Sequence, residues 1–480
     1  MSGSLSSPSV SGEPPMTVAA RLDRMPITRL HVIVVVCVGL GIFFDTYEVL
    51  LAGTLSTTLE KQFQLTENSV KAVLASAFVG QFLGAILLGR VADRFGRRRM
   101  FLVNLAVYSV FSLVGGLSPN AWLLIVARFL VGVGLGAELA LADTYLSDLM
   151  PARARGRLIS YAYTIGFLGV PAAGFLARWL VPLAPLGVAG WRWLFFIGAL
   201  GALVVWALRL FLPESPRWLE SVGRGAAADA AMTAWEDSAR RAGQVLPEPS
   251  PVPVAPQQRA AARLIFSREY LPRTVMAWLM SVGSAFGYYG FGTIAVLVLA
   301  SKGYSILSSL TFISLSYIGY PVGSLLSLPI MERVERRLLL AITAAGMAVA
   351  GLLYGYAGNP TEVVLWGFVF TLISNIFSNA YHVYLGELYP TALRATGAGT
   401  GYSISRIVTA ALPYILIPAL DDAGSGLVFG IVAAALAVLI ADVMALGPRT
   451  TGRTLESLTP PDGAAAAAAP AGQATMKTTT

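Results

Sequence analysis

Residues 89–99 read GRVADRFGRRR, five arginines and one aspartate set between two long apolar stretches. Guanidinium groups are costly in hydrocarbon, and a short basic loop beside apolar helices marks the cytoplasmic side of a membrane. The loop, containing Arg90, Asp93, Arg94, Arg97, Arg98 and Arg99, therefore sets how the chain is threaded. Gly89 and Gly96 permit tight turns and close helix approach at either end of it. Asp93, the lone acid, is placed to pair with a neighbouring arginine or to meet a helix N-terminus.

Outward from this loop the whole chain is apolar. Of 480 residues, 56% are hydrophobic and 12% charged, with a mean hydropathy of +0.68. Soluble proteins carry about a quarter charged residues, so the composition predicts an integral membrane protein, and its helix-length apolar stretches an all-α one. Basic residues outnumber acidic ones, 34 to 26, but they lie mainly in loops and tails. Positive-inside topology accounts for them and leaves no reason to invoke a nucleic-acid partner. The single cysteine, Cys37, excludes an intrachain disulfide or a cysteine-based metal site. There is no Walker A run, no H-E-x-x-H and no His/Cys cluster, so an enzyme, a cofactor and ATP-driven pumping are not expected.

Stretches long enough to cross a bilayer, ~20 residues of helix, fall near 30–54, 69–89, 100–118, 121–145, 157–181, 190–212, 274–299, 305–328, 336–357, 361–385, 396–418 and 424–447. The expected organisation is a disordered cytoplasmic tail (1–28), a six-helix bundle (29–212), a cytoplasmic connector (213–272), a second six-helix bundle (273–447) and a disordered cytoplasmic tail (448–480). Prolines argue against continuous packed structure in the connector, although it includes an Ala-rich helix candidate. The two halves repeat. Asp93, Arg94 and Arg97 are echoed by Glu332, Arg333 and Arg336, Asp148 and Arg155 by Glu387 and Arg394, and Gly80 and Gly84 by Gly319 and Gly323, always 239 residues on. Two parallel repeats about an axis normal to the membrane suit a carrier that rocks about a central site.

The first loop resembles the G-x-x-x-D-R-x-G-R-R loop of the major facilitator superfamily, matched by Gly89, Asp93, Arg94, Gly96, Arg97 and Arg98. The resemblance extends over 29–447 through Arg128 with Gly132, Gly134 and Gly136, PESPRWL at 213–219 and GELYPTALRATG at 386–397. PESPRWL is shared with the sugar-porter and organic-ion branches. The resemblance implies twelve helices in two pseudo-symmetric six-helix bundles, working as a monomer in the inner or plasma membrane. It also implies a cytoplasmic gate, a charge network of Gly89, Asp93, Arg94, Gly96, Arg97, Arg98, Asp148, Arg155, Glu332, Arg333, Arg336, Glu387 and Arg394. The second copy has lost its glycines, with Leu328 and Glu335 standing where the first has Gly89 and Gly96.

Charges at membrane depth are functional candidates by default. Asp45 and Glu48, in FFDTYEVL, are spaced i, i+3 on one helix face. Two adjacent carboxylates repel, which raises the affinity of one for a proton; alternatively both snorkel or pair with an arginine. The stretch is similar to the D-G-x-D motif of proton-linked aromatic-acid and metabolite symporters, with Thr46 and Glu48 at the second and fourth positions. Arg128 occupies the place of that family's fourth-helix arginine, at a depth similar to Asp45, and Glu138 lies farther along the same span. These four are the proton-coupling candidates, the proton being the coupling ion. Arg406 lies near mid-membrane in span eleven without an acid at its depth in the second half. A substrate carboxylate is one candidate partner, and Asp45 or Glu48 across the halves is the other. Tyr288, Tyr289, Asn375, Asn379 and Tyr381 are the further substrate-binding candidates, each also readable as an interhelical hydrogen bond or packing residue.

Sugar porters bind hexoses through glutamines of helices five and seven, and 157–181 and 274–299 contain none. GYYGFG at 287–292 is closer to niacin-like metabolite:proton symporters. The expected function is proton-coupled symport of a small organic anion. A proton-linked sugar or polyol carrier, or a transporter-like sensor that binds without translocating, are the alternatives.

Overall fold

A computed structural model describes residues 18–95, 97–151, 153–248, 262–331, 333–389 and 391–450, except the side chains at 19, 89–94, 97, 221, 262, 391–392 and 394–395. Helices dominate, and the described residues contain no strand. In a bilayer every backbone polar group must be satisfied within its own segment, which a helix does. The spanning helices are α1 (Arg29–Thr54), α2 (Glu67–Phe95), α3 (Arg97–Leu117), α4 (Ala121–Leu149), α5 (Arg155–Leu180), α6 (Gly190–Arg209), α7 (Leu271–Ser301), α8 (Ile306–Met331), α9 (Arg336–Tyr356) and α10 (Pro360–Glu387). Thr391–Leu446 continues as one helical run broken at Gly424, whose φ of 76° is left-handed. Glycine takes that conformation without a Cβ penalty, and the break divides the run into α11 (391–423) and α12 (425–446), giving twelve crossings.

The sequence repeat reappears as a repeated helix crossing. A Cβ on Gly80 or Gly84 of α2 would overlap the backbone carbonyls of Phe129 and Val133 of α4. In the second half, a Cβ on Gly319 or Gly323 of α8 would overlap Phe368 and Leu372 of α10. Each of these four residues in the second half lies 239 positions after its counterpart. Small residues let backbones approach closely where hydrophobic burial gives no drive, since lipid is as apolar as leucine. Outward faces carry exposed Leu200, Leu203, Val349 and Val438, and Trp122, Trp179 and Tyr356 stand exposed at the helix ends opposite the arginine-rich end. This is the aromatic-belt pattern of a membrane interface.

Between the halves, a Cβ on Gly53 of α1 would overlap the carbonyl of Gly292 in α7, and Arg178 Nε of α5 donates to Thr311 Oγ1 of α8 at 2.7 Å. Both contacts lie toward the end opposite the arginines. Farther toward the arginine-rich end, Thr164 and Ser324 hydroxyls meet at 3.1 Å.

The segments before α1 and after α6 depart from the expectation of loose chain. A short helix, Val18–Asp23, lies on a connector helix, Gly225–Arg241. Arg21 pairs with Glu236 at 3.0 Å and Asp229 at 3.1 Å, and Arg24 with Glu236 at 2.7 Å. Trp235, 1% exposed, meets the His31 ring edge-on at 4.7 Å. The Ala-rich helix candidate is thus present and docked, and residues 18–28 are structured rather than disordered. Residues 249–261 and 451–480 lie outside the description.

Candidate functional site

Breaks in helical regularity position the site. A five-residue π-turn, Ala285–Tyr289, interrupts α7. Such bulges re-aim side chains and recur at functional sites, and this one carries Tyr288 and Tyr289. In α4 the turn at Gly136–Ala137 restarts the helix at Glu138. The cavity where these elements converge has a volume of ≈ 40 Å³, enough for a few waters. Asp45, Thr46, Tyr163 and Phe167 line it from the first half, and Tyr288, Tyr289, Ser378, His382 and Arg406 from the second.

Asp45 is 4% exposed and makes neither an ion pair nor a hydrogen bond among the described residues. Within electrostatic reach lie Glu138, Arg406, Arg209 and Glu48. Opposite it, Arg406 Nη1 donates to the Tyr289 hydroxyl, with its Cζ 4.9 Å from that ring's centroid. A hydroxyl and a π face orient a guanidinium without neutralising it. The arginine therefore keeps donor capacity toward the cavity, and neither Asp45 nor Glu48 is its ion-pair partner.

Glu48 belongs to a different structure. Its Oε1 accepts from Arg128 Nη1 at 2.6 Å, its backbone carbonyl from Arg128 Nη2 at 3.0 Å, and its Oε2 from Ser112 Oγ at 3.1 Å. Both charges are at most 1% exposed. Gly198 makes room, because a Cβ there would come within 2.8 Å of Glu48 Oε2. The idea that Asp45 and Arg128 pair, or that Asp45 and Glu48 form one carboxylate couple, does not fit this arrangement. Three residues along α1 turn the two side chains ~60° apart, enough for α4 to take one and leave the other on the cavity. Glu138 pairs with Arg209 Nη1 at 2.7 Å, both 1% exposed. Arg209 was not singled out from the sequence, since an arginine in the last turn of a span reads as a snorkelling charge.

Of the remaining substrate candidates, Tyr288 and Tyr289 line the cavity with rings 4.8 Å apart. Asn375, Asn379 and Tyr381 do not line it. Asn375 Nδ2 donates to the Tyr320 carbonyl, Asn379 Nδ2 to Ser327 Oγ at 2.7 Å, and the Tyr381 hydroxyl meets Ser281 Oγ at 2.8 Å. These are interhelical bonds. Tyr163, whose hydroxyl donates to Asp143 at 2.8 Å, and His382, whose Nδ1 meets the Ser378 carbonyl at 2.7 Å, do line it. Tyr163 carries no sequence signal beyond being an aromatic residue in an apolar span.

Much of the gate network falls outside the description: Gly96 and Glu332, and the side chains at 89, 93, 94, 97 and 394. Around it, Arg98 reaches the Leu210 carbonyl, its backbone N–H donates to Glu214 Oε1 at 3.3 Å, and Asp148 accepts from Ser215 Oγ at 2.8 Å. PESPRWL thereby ties the ends of α3 and α4 together. Arg155 donates to the Met150 carbonyl at 3.4 Å, Arg336 meets Glu387 at 3.6 Å, and Arg333 is exposed. Each of these contacts stays within its own half.

The profile of the family described as "Sugar (and other) transporter" matches residues 31–460. The niacin transporter NiaP of Acinetobacter baylyi is 30% identical over 446 residues, covering 92% of this chain and all of that one. A gallate transporter of Pseudomonas putida is 29% identical, covering 82% and 86% of the two chains. Among solved structures, the major facilitator superfamily proton:xylose symporter XylE from E. coli superposes with a TM-score of 0.68 at 19% identity, over 89% of this chain and 98% of that one. That last likeness is one of fold. The chain belongs to the family of sugar (and other) transporters, which are transporters and not enzymes, and its fold is like that of a major facilitator superfamily symporter.

Proposed function

We propose that this carrier moves a small organic anion, an aromatic carboxylate by preference, together with a proton. The observation that carries the reading is the cavity itself: an unpaired carboxyl, Asp45, on the first half faces a cation held by an uncharged partner, Arg406, on the second. A guanidinium grips a carboxylate bidentately, and the tyrosine and phenylalanine walls suit a ring. Protonation of Asp45 removes a negative charge from beside the bound anion, which couples the two ligands through one electrostatic term. Relatives named for niacin and gallate carry ligands of this chemistry.

At ≈ 40 Å³ the cavity is too small for such a ligand, so binding requires the two bundles, 29–212 and 273–447, to part. Tight packing at the end opposite the arginines favours opening toward the arginine-rich end, the cytoplasmic side under the positive-inside rule, where both termini then lie. The contacts around PESPRWL stiffen the first half for this rocking, and the Arg336–Glu387 pair ties α9 to α10 in the second. The chain works as a monomer, with the inner or plasma membrane as its setting. Sugars remain the second reading, favoured by the family description and by the fold likeness to a xylose symporter.

The test is uptake of labelled nicotinate into proteoliposomes under an inward proton gradient. Accumulation competed by gallate and not by xylose is expected. Uptake of labelled xylose in place of nicotinate would replace this reading with the sugar one, and binding without counterflow would replace it with a sensor.

A further inference from the structure

Glu138 and Arg209 have no task in the reading above, yet they press against the coupling helix. Gly41 and Asp45 lie one turn apart on the same face of α1, ~6 Å along its axis. A Cβ on Gly41 would overlap the Arg209 guanidinium and come within 3.1 Å of Glu138 Oε1. The pair therefore sits beside α1, one turn from Asp45 toward the arginine-rich end. Its hydrogen bonding is incomplete. Arg209 Nη1 serves Glu138 Oε1, whereas Arg209 Nη2 and Nε and Glu138 Oε2 are buried without a partner among the described residues. Nη2 is the atom nearest the Gly41 position. An unpaired donor and an unpaired acceptor beside an unpaired carboxyl make an exchange set.

Other ionisable groups also face Asp45. They are Glu48 on α1, Tyr108 on α3, Tyr163 on α5 with Asp143 behind it, Tyr288 and Tyr289 on α7, His382 on α10 and Arg406 on α11. Arg128 is committed to Glu48 by two hydrogen bonds, and Arg406 stands on the opposite half. Arg209 is the remaining cation on the same side as Asp45.

We infer that Arg209 is a shared counter-charge that binds whichever of Asp45 and Glu138 is ionised. In the exchange the proton leaves the Asp45 carboxyl for Glu138 Oε2, one O–H bond breaking as another forms. The guanidinium moves from Glu138 to the new Asp45 carboxylate. One proton, two carboxyl groups and one guanidinium are conserved, so the set stays neutral throughout, and neutrality avoids the cost of an isolated buried charge. The proton advances one turn toward the arginine-rich end. Arg209 is on this account a positioning residue for coupling, and the inference rests on Asp45 being the coupling carboxyl.

Infrared pH-difference spectra of the full chain in liposomes, without substrate, test it. A titrating carboxyl band absent from Asp45→Asn identifies Asp45. In Glu138→Gln, which removes the competitor, Arg209 serves Asp45 alone, and the midpoint of that band is expected to move to lower pH by about one unit or more. In Arg209→Gln it is expected to move to higher pH. Opposite displacements are not what general loosening of the fold produces. An unchanged midpoint in a monodisperse Glu138→Gln protein would overturn the inference. A spectrum unaltered in Asp45→Asn would instead overturn the coupling role of Asp45, and the inference with it.

Discussion

At the depth of the cavity the described residues of the first half bury three carboxyl groups and two guanidinium groups, Asp45, Glu48, Glu138, Arg128 and Arg209, while the second offers Arg406 among two tyrosines, a serine and a histidine. Among the described residues of the second half the buried acid is Asp442, near the end of α12. Both halves share the same glycine crossing, so the scaffold does not dictate this difference. The contrast is a division of labour: the first half holds its arginines in ion pairs, and under the proposed function the second presents one cation to the ligand.

The comparison breaks most visibly if the first-half pairs are dispensable. Truncating one partner of a buried ion pair strands the other charge, at about 3–5 kcal/mol. Glu48→Ala should therefore lower the thermal unfolding temperature of the purified protein sharply, and an unaltered temperature would show that Arg128 has another partner. In the second half the expected effect is on binding. Arg406→Lys should keep the fold and lose about 1.5–3 kcal/mol of carboxylate affinity, a bond to a charged group, read by competition against nicotinate. Tyr289→Phe, which removes only the hydroxyl that orients Arg406, should cost less, about 0.5–1.5 kcal/mol, with affinity for a neutral ligand unchanged.

Outside the membrane the same logic gives the smallest effect. Burial alone would push the Glu236 carboxyl up, but hydrogen bonds and charge from Arg21 and Arg24 hold it below its ordinary value of 4.5. A depressed carboxyl stabilises above that value, and its contribution is lost as pH falls below 4.5 through the folded-state value. Glu236→Gln should remove that acid-side dependence at a cost of about 1 kcal/mol or less, visible as faster proteolysis of the connector.

The crossings and the repeat were legible because both rest on local rules: apolar length, basic loops and glycine spacing. The eleventh and twelfth spans were separated on the sequence at 419–423, next to the break at Gly424. Partner choice was less legible. Depth along a helix follows from counting, which placed Arg128 level with α1's acids, but which acid it meets depends on how α4 packs, on Ser112 and on the room left by Gly198. Arg209 was hidden by its position in a last turn, and Gly41 was the clue, meaningful only once a guanidinium was seen against it. Asn375 and Asn379 carry polarity that α8 absorbs. The clasp of Arg21 and Arg24 on Glu236 joins segments more than 200 residues apart, and no periodicity reports such a pairing.

In the proposed function Asp45 carries the proton and Arg406 the anion. This assignment is tested most directly by comparing nicotinate counterflow with gradient-driven nicotinate uptake in Asp45→Asn proteoliposomes. Counterflow is expected to persist while accumulation under a proton gradient is lost. Accumulation at the level of the unsubstituted protein would contradict it.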